Sequence, residues 1–272
     1  MSLQDGKTLI FPRYHQLDVV RKLVADVRQK GAGQHYLIQH SAGSGKSNSI
    51  AWLAHQLTGL EDAQGNLLVD SVIVVTDRVV LDKQIRDTIR QFAQTRNIIA
   101  WAEHSGDLRK AIEDGRRIII TTIGKFPYVL PEIGEDHKDR HFAIIIDEAH
   151  SSQNGKTAGT MNMTLSAIMS DPDMDNEDKI NAMCEGKKLL TNASYFAFTA
   201  TPKNKTLETF GTAYEDAGVI KHRPFHVYTM KQAIQEGFIL DVLKYYTPID
   251  SYYRLKKTVE DDPMFDKKKA QK

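Results

Sequence analysis

Three short stretches carry side chains whose types and spacing suit chemistry on a bound phosphate. The first is Gln39–Ser47, QHSAGSGKS. Gly43 and Gly45 let the backbone turn tightly and bring bare N–H groups onto phosphate oxygens, with Ser44 between them. The helix expected to follow adds the positive end of its dipole to the same place. Lys46 can reach the β- and γ-phosphates, and Ser47 can hold Mg²⁺. His40 stands where the usual pattern has its first glycine, but the Gly-x-Gly-Lys-Ser core is whole. An ordinary glycine turn before a surface helix is the competing reading. The flanks argue against it: an uncharged run, Tyr36–Ile38, precedes the stretch, and Ile50, Leu53, Ala54 and Leu57 follow at helical spacing.

The second stretch is Asp147–His150, DEAH, at the end of the most apolar run in the chain, Phe142–Ile146. Asp147 can complete a Mg²⁺ shell together with Ser47, and Glu148 can polarise an attacking water as a general base. By itself such a pair also fits a solvated turn. His150 has no Cys and no second His at helical spacing, which makes it a poor metal ligand. The third stretch is Thr199–Pro202, TATP. Thr199 and Thr201 are small donors able to bond His150 or the γ-phosphate region and so report nucleotide state. Taken alone they read as a Thr-Pro turn.

The elements needed to position these residues alternate. Leu17, Val20, Val24 and Val27 form one helical stripe, closed by Gly31 and Gly33. Short runs at Tyr36–Ile38, Ser71–Val75, Ile98–Trp101, Arg117–Thr121, Phe142–Ile146 and Tyr195–Phe198 read as strands, and the charge-free Ser71–Val75 as one buried on both faces. Helices are expected at Ile50–Leu57, on the stripe Leu81, Ile85, Ile89 and Phe92, and at Leu108–Ile112. A further strand at Phe225–Tyr228, a helix at Lys231–Glu236 and a strand at Leu243–Thr247 are expected after Phe210. This alternation predicts an α/β domain with a mostly parallel sheet, right-handed crossovers and helices on both faces. Ser44, Asp77, Thr122, Asp147 and Thr199 each fall just after a strand, so they would share the ligand-binding edge. Asp171–Lys188 is read as a surface insertion without assigned chemistry. Asp261–Lys272 is charged and Lys-rich and is expected to be disordered.

Composition narrows the function classes. The 272 residues, 41% hydrophobic, are enough for one substantial core. Lys+Arg is 36 against Asp+Glu 35, a net charge of +1, so nucleic acid would have to be held by local contacts and not by a general basic field. A single cysteine, Cys184, excludes an intrachain disulfide framework and a Cys-rich zinc site. The first residues contain no apolar signal segment, and no run approaches the roughly 20 residues of a membrane span. A soluble, cytoplasmic protein with no membrane partner is expected, and Met1–Leu3 could be an expression scar.

In their order, Gly43–Ser47, Asp147–His150 and Thr199–Pro202 resemble motifs I, II and III of the superfamily 2 helicases and translocases. Arg13-Tyr-His-Gln16 is placed like that family's Q motif, in which a Gln reads the adenine edge. Thr76–Arg78 with Gln84 resembles motif Ia, and Thr121–Phe126, including Thr122 and Lys125, resembles motif Ib. Both contact the nucleic-acid backbone in the family. More narrowly, Asp147–Gln153, Phe198–Glu208 and Gln232–Leu240 are similar to the motor subunit of type I restriction enzymes. The resemblance covers roughly residues 10–250. It implies a RecA-like P-loop NTPase fold, with an N-terminal tail at 1–12, the first motor domain at 13–245, and a linker at 246–272 toward a second motor domain. It implies ATP and Mg²⁺ as ligands, with Arg13, Gln16, Gly43, Ser44, Gly45, Lys46 and Ser47 around the nucleotide. Thr76, Arg78, Gln84, Thr121, Thr122 and Lys125 would contact double-stranded DNA. Methyltransferase and specificity subunits would be partners of the whole enzyme. Ser151 departs from the Arg common after the DEAH box. No counterpart of the second RecA-like domain, of its arginine finger or of a nuclease core is found, and the chain reads as a fragment. An RNA helicase shares these motifs, and a nucleotide-dependent switch that binds ATP without turnover is the alternative from another class.

Overall fold

The computed structural model describes residues 2–4, 8–76, 89, 99–102, 104–123, 133, 137–147, 190–241 and 244. The chain divides into two units, Met1–Met230 and Lys231–Lys272. The first unit contains the sheet. In it β4 (Ser71–Thr76), β7 (Phe142–Asp147) and β8 (Ala193–Thr199) are buried at every residue. Their β-branched and aromatic runs lack a polar face because both sides of the sheet are covered. With β3 (His35–His40), β5 (Ile99–Trp101), β6 (Ile118–Thr122) and β11 (His226–Tyr228) they form, among the described residues, a seven-stranded sheet in the order β11-β3-β8-β7-β4-β6-β5. All neighbouring pairs in it are parallel.

Successive side chains of a strand point to opposite faces, and the core divides accordingly. Val72 and Val74 of β4 join Ala143 and Ile145 of β7, and Phe196 and Phe198 of β8, against α1 (Tyr14–Lys30) and α2 (Lys46–Thr58). Ile73 and Val75 join Ile144, Ile146 and Tyr195 on the other face, with Leu108 and Ile112 of α3 (Ser105–Glu113) and Phe210 of α4 (Asn204–Phe210). Phe196 and Phe198 are fully buried, and burial of such a ring contributes about 1.5–3 kcal/mol. The expected parallel sheet with helices on both faces is therefore the observed one.

The register sets the functional edge. Ile38 is level with Phe198, and Phe198 with Asp147. Gln39 is level with Thr199, and Thr76 with Thr122. The chain passes from β3 through α2 to β4, yet β8 and β7 lie between those two strands. Such a reversal leaves a crevice at the carboxyl ends of the strands, where ligands of open α/β sheets bind.

Some expectations needed adjustment. The buried face of α1 carries His15, Gln16, Val19, Val20, Leu23 and Val27, while Leu17 is 44% exposed. The expected stripe through Leu17 and Val24 is off by part of a turn, because two polar residues at the start of the helix turn inward to bond the loop described below. An antiparallel hairpin of β9 (Thr212–Asp216) and β10 (Val219–Arg223) was not anticipated. Ala217 and Gly218, both at positive φ, make its two-residue turn. A second hairpin, β1 (Ser2–Gln4) with β2 (Thr8–Ile10), lies within the segment expected as a tail. The expected helix through Leu81–Phe92 lies outside the described residues apart from a buried Ile89. The expected strand at Leu243–Thr247, apart from Lys244, and the segments 171–188 and 246–272 also lie outside them. Helix α5 (Met230–Gln235) begins at Met230, and a turn at Gly237, at positive φ, follows it. Among the described residues no helix is long and apolar enough to cross a membrane.

Candidate nucleotide-binding site

Strand β3 ends at His40, and the chain turns through Ser41–Gly45 into α2. Gly43 has φ 74° and Gly45 φ 79°, the left-handed region in which a side chain is strained. Gly45 is the N-cap of α2 and supplies no side-chain cap, and the first turn of the helix carries no acidic residue. A helix start with neither a capping side chain nor an acidic first turn is the arrangement that suits an anion. Lys46 is 7% exposed and Ser47 half-buried. Ser44 is fully buried, with a hydroxyl oxygen that has no hydrogen-bond partner among the described residues.

The loop is held from behind by α1. His15 Nε2 donates to Ser44 O at 2.9 Å; a carbonyl only accepts, so this nitrogen carries the proton. Gln16 Nε2 donates to Ser44 O at 3.1 Å and to Gly45 O at 3.0 Å, while its Oε1 accepts the N–H of Arg13 at 2.9 Å. In a trans peptide the C=O and the following N–H point in opposite directions. Drawing the Ser44 and Gly45 carbonyls onto α1 therefore turns the N–H groups of Gly45 and Lys46 the other way, toward the open side of the loop. A methyl group on Gly45 would strike the Gln16 amide. At the root of the loop, the N–H of Ser41 donates to Tyr228 O on β11 at 2.9 Å.

Asp147 ends β7 and is 4% exposed; Thr199 ends β8 and is fully buried. Both lie on the edge that carries the loop. Thr76 and Thr121 are buried, and the Thr76 hydroxyl reaches Thr121 O at 3.5 Å; Thr122 is half-buried and Thr201 exposed. Arg13, exposed, caps α1. Glu148, His150, Arg78, Gln84 and Lys125 lie outside the described residues. His15 and Tyr228 were not anticipated as parts of the site. A polar pair at the start of an otherwise apolar helical face was the available signal for His15; nothing in the sequence marked Tyr228. A nucleotide with Mg²⁺ fits what is present: a left-handed glycine nest, a helix start without a side-chain cap, a buried lysine, a serine hydroxyl without a partner among the described residues, and a carboxylate on the same edge.

The model of the SWI2/SNF2 ATPase family matches residues 15–271 of the chain. The chain belongs to the SWI2/SNF2 ATPase family. Over 149 residues, 51% of its length, this SWI2/SNF2 ATPase is 32% identical to a Mycoplasma pneumoniae protein named as the C-terminal part of the type I restriction enzyme MpnIIP endonuclease subunit, and it covers 68% of that protein. It is 25% identical over 244 residues, 87% of its length, to the type I restriction enzyme SauMSSORF170P endonuclease subunit of Staphylococcus aureus strain MSSA476. It spans 22% of that relative. A solved structure of a nuclease-deletion mutant of the Type ISP restriction-modification enzyme LlaGI, in complex with a DNA substrate mimic, covers 94% of the chain at 17% identity and a TM-score of 0.47, over 23% of its own length. The RecA-like ATPase fold expected from the motifs is thus the fold of a SWI2/SNF2 ATPase domain, and its relatives carry the names of type I restriction endonuclease subunits.

Proposed function

We propose that this SWI2/SNF2 ATPase domain is the first of two RecA-like motor domains in an ATP-dependent translocase of double-stranded DNA, of the type I restriction kind. The observation that carries the reading is the loop itself: two of its carbonyls are fastened to α1, and Asp147 and Thr199 end their strands on the same edge of the sheet. Lys46 and the N–H groups of Gly45 and Lys46 bind and orient the triphosphate. Ser47 and Asp147 are the residues placed to hold Mg²⁺, which when bound offsets charge on the phosphate oxygens. Glu148, next in the chain, is the candidate base for the attacking water. Thr199 ends β8, beside β3, with Thr201 just after it, and the two would pass the state of the γ-phosphate to the rest of the domain. Thr122 at the end of β6, with Arg78, Gln84 and Lys125 in the segments after β4 and β6, is assigned to the DNA backbone. Such contacts suit a motor because they do not depend on sequence. The second motor domain would supply the arginine that completes phosphoryl transfer, and methyltransferase and specificity subunits would supply target recognition.

The test is steady-state ATP hydrolysis by the full-length protein with duplex DNA, single-stranded DNA and RNA, paired with displacement of a triplex-forming strand to report translocation. Stimulation by duplex DNA with triplex displacement is the expected result. Stimulation by RNA alone would identify an RNA helicase, and nucleotide binding without turnover on any polymer would identify a switch.

A further inference from the structure

His40, in the place where a phosphate loop usually has glycine, is fully buried. Its Nε2 lies 2.8 Å from Nδ1 of His226 on β11. His226 Nε2 lies 3.0 Å from Asp18 Oδ2 on α1, and the same oxygen accepts from Lys22 Nζ at 2.7 Å. The Lys22 hydrogen bond is the main reason the Asp18 carboxyl sits below its ordinary range, so Asp18 is a carboxylate that only accepts. His226 Nε2 therefore donates. In a neutral imidazole the other nitrogen is then the acceptor, and His40 Nε2 must donate to it. The donor order fixes both rings as Nε2–H tautomers. His40 Nδ1 is left a bare acceptor, buried with no hydrogen-bond partner among the described residues.

This relay ends against the phosphate loop. His40 immediately precedes Ser41, whose N–H is held by Tyr228 of β11. The His40 ring meets His15 edge-on at 5.5 Å between centroids, and His15, which holds Ser44 O, stacks on Tyr228 at 3.7 Å and 9°. Rings from α1, β3 and β11 thus form the floor of the loop. We propose that His226 is a positioning residue for the phosphate loop: it sets the tautomer and orientation of His40, and its protonation reverses that hydrogen bond and loosens the loop at its root.

The inference rests on the phosphate-site reading above. The groups facing the pair are His15, Asp18 and Lys22 of α1, Lys46 of α2 and Tyr228 of β11. Burial, then the nearness of His226, His15 and Lys46, where a second positive charge would be unfavourable, push His40 down to about 3. Burial also lowers His226, against the opposing pull of Asp18. The neutral relay is therefore complete at and above the ordinary histidine pKa and is lost only as pH falls below it. Once His226 is protonated, both its nitrogens donate. His40 must then move its proton to Nδ1, which faces no acceptor among the described residues, or give up the contact.

The experiment uses this chain, a fluorescent ADP analogue with Mg²⁺, and nitrogen NMR of the imidazoles. His226→Asn places an oxygen acceptor near the former Nδ1 and does not titrate; His226→Leu removes the acceptor. At neutral pH the NMR should show Nε2–H on both histidines of the wild type. His226→Asn should bind the analogue as the wild type does, and His226→Leu about tenfold more weakly. Between about pH 8 and about pH 5 the wild type should weaken relative to His226→Asn, in which this position does not titrate. Parallel profiles, undiminished binding by His226→Leu, or a proton on His40 Nδ1 would overturn the relay. If the Leu variant does not fold, the NMR and the Asn comparison still decide. A wild type that binds no nucleotide would overturn the phosphate-site reading itself, a result distinct from any of these.

Discussion

Replacing Gln16 with methionine keeps the volume of the side chain and removes all its hydrogen bonds. Two of these run to Ser44 O and Gly45 O, and the third receives the N–H of Arg13. Neither carbonyl would be stranded: Ser44 O keeps His15, and Gly45 O keeps the N–H groups of Asn48 and Ser49 in α2. The cost is therefore the net worth of each bond, about 0.5–1.5 kcal/mol, and not the desolvation of an orphaned group. The Arg13 bond caps α1, and its loss should appear in stability alone, about 1 kcal/mol and about 2–4 °C in melting temperature. The two loop bonds order the phosphate-facing N–H groups, so their loss should appear in nucleotide binding, about 1–3 kcal/mol or roughly 5- to 150-fold in Kd. Both amide hydrogens of Gln16 are engaged with the loop, so the loss should be the same factor for ATP and GTP. Titration calorimetry with both nucleotides, alongside a thermal melt, measures the two parts separately. An unchanged Kd for both would refute the argument that this clamp orders the loop. A loss confined to ATP would show that Gln16 reads the base.

Lys46→Ala should abolish ATP-driven translocation in the full-length protein, because a charge-assisted contact worth about 1.5–3 kcal/mol is lost and more in the transition state; ordinary ATPase in the folded variant would contradict the phosphate assignment. Glu148→Gln should still bind ATP but lose turnover, read as single-turnover hydrolysis in rapid quench, since the amide keeps the shape without the basicity. Neutralising Arg78 or Lys125 should weaken DNA binding about equally for all sequences and reduce the salt slope by about one; a sequence-selective loss would argue for base contacts. The 272-residue chain by itself should bind Mg-ATP weakly and hydrolyse it near background with or without duplex DNA, because Arg223 and Arg254 lie in no motif resembling an arginine finger, a group worth roughly 10³–10⁵ in rate. DNA-stimulated turnover by the chain alone would show that the arginine is supplied within it or by self-association.

Strands buried on both faces were the most legible part of the chain, since runs such as SVIVVT and FAIIID leave no polar face to mislead. Their carboxyl ends, read from the sequence alone, put Asp147 and Thr199 on one edge. The exposed hairpin Thr212–Arg223 was not legible, because every residue of β9 is exposed and the ribbon has no buried face to impose alternation. The face of α1 was misjudged for a related reason. Hydrophobic periodicity counts apolar residues, and here two of the buried positions are His15 and Gln16, held by partners 28 and 29 residues away. The relay through His226 had no local signal at all, since its partners Asp18 and His40 come from distant parts of the chain.

That last separation has a consequence for how the protein is made. His40 and His226 are 186 residues apart, and a ribosome adding about 5–20 residues per second needs on the order of ten to forty seconds to cover the distance. The contacts of α1 with the loop span only 28 or 29 residues, so they can form early on the nascent chain. The floor supplied by β11 arrives last. During synthesis the nucleotide pocket therefore exists first as a half-built cradle, and ligand binding cannot help the early part of the domain to fold until nearly all of it has left the ribosome.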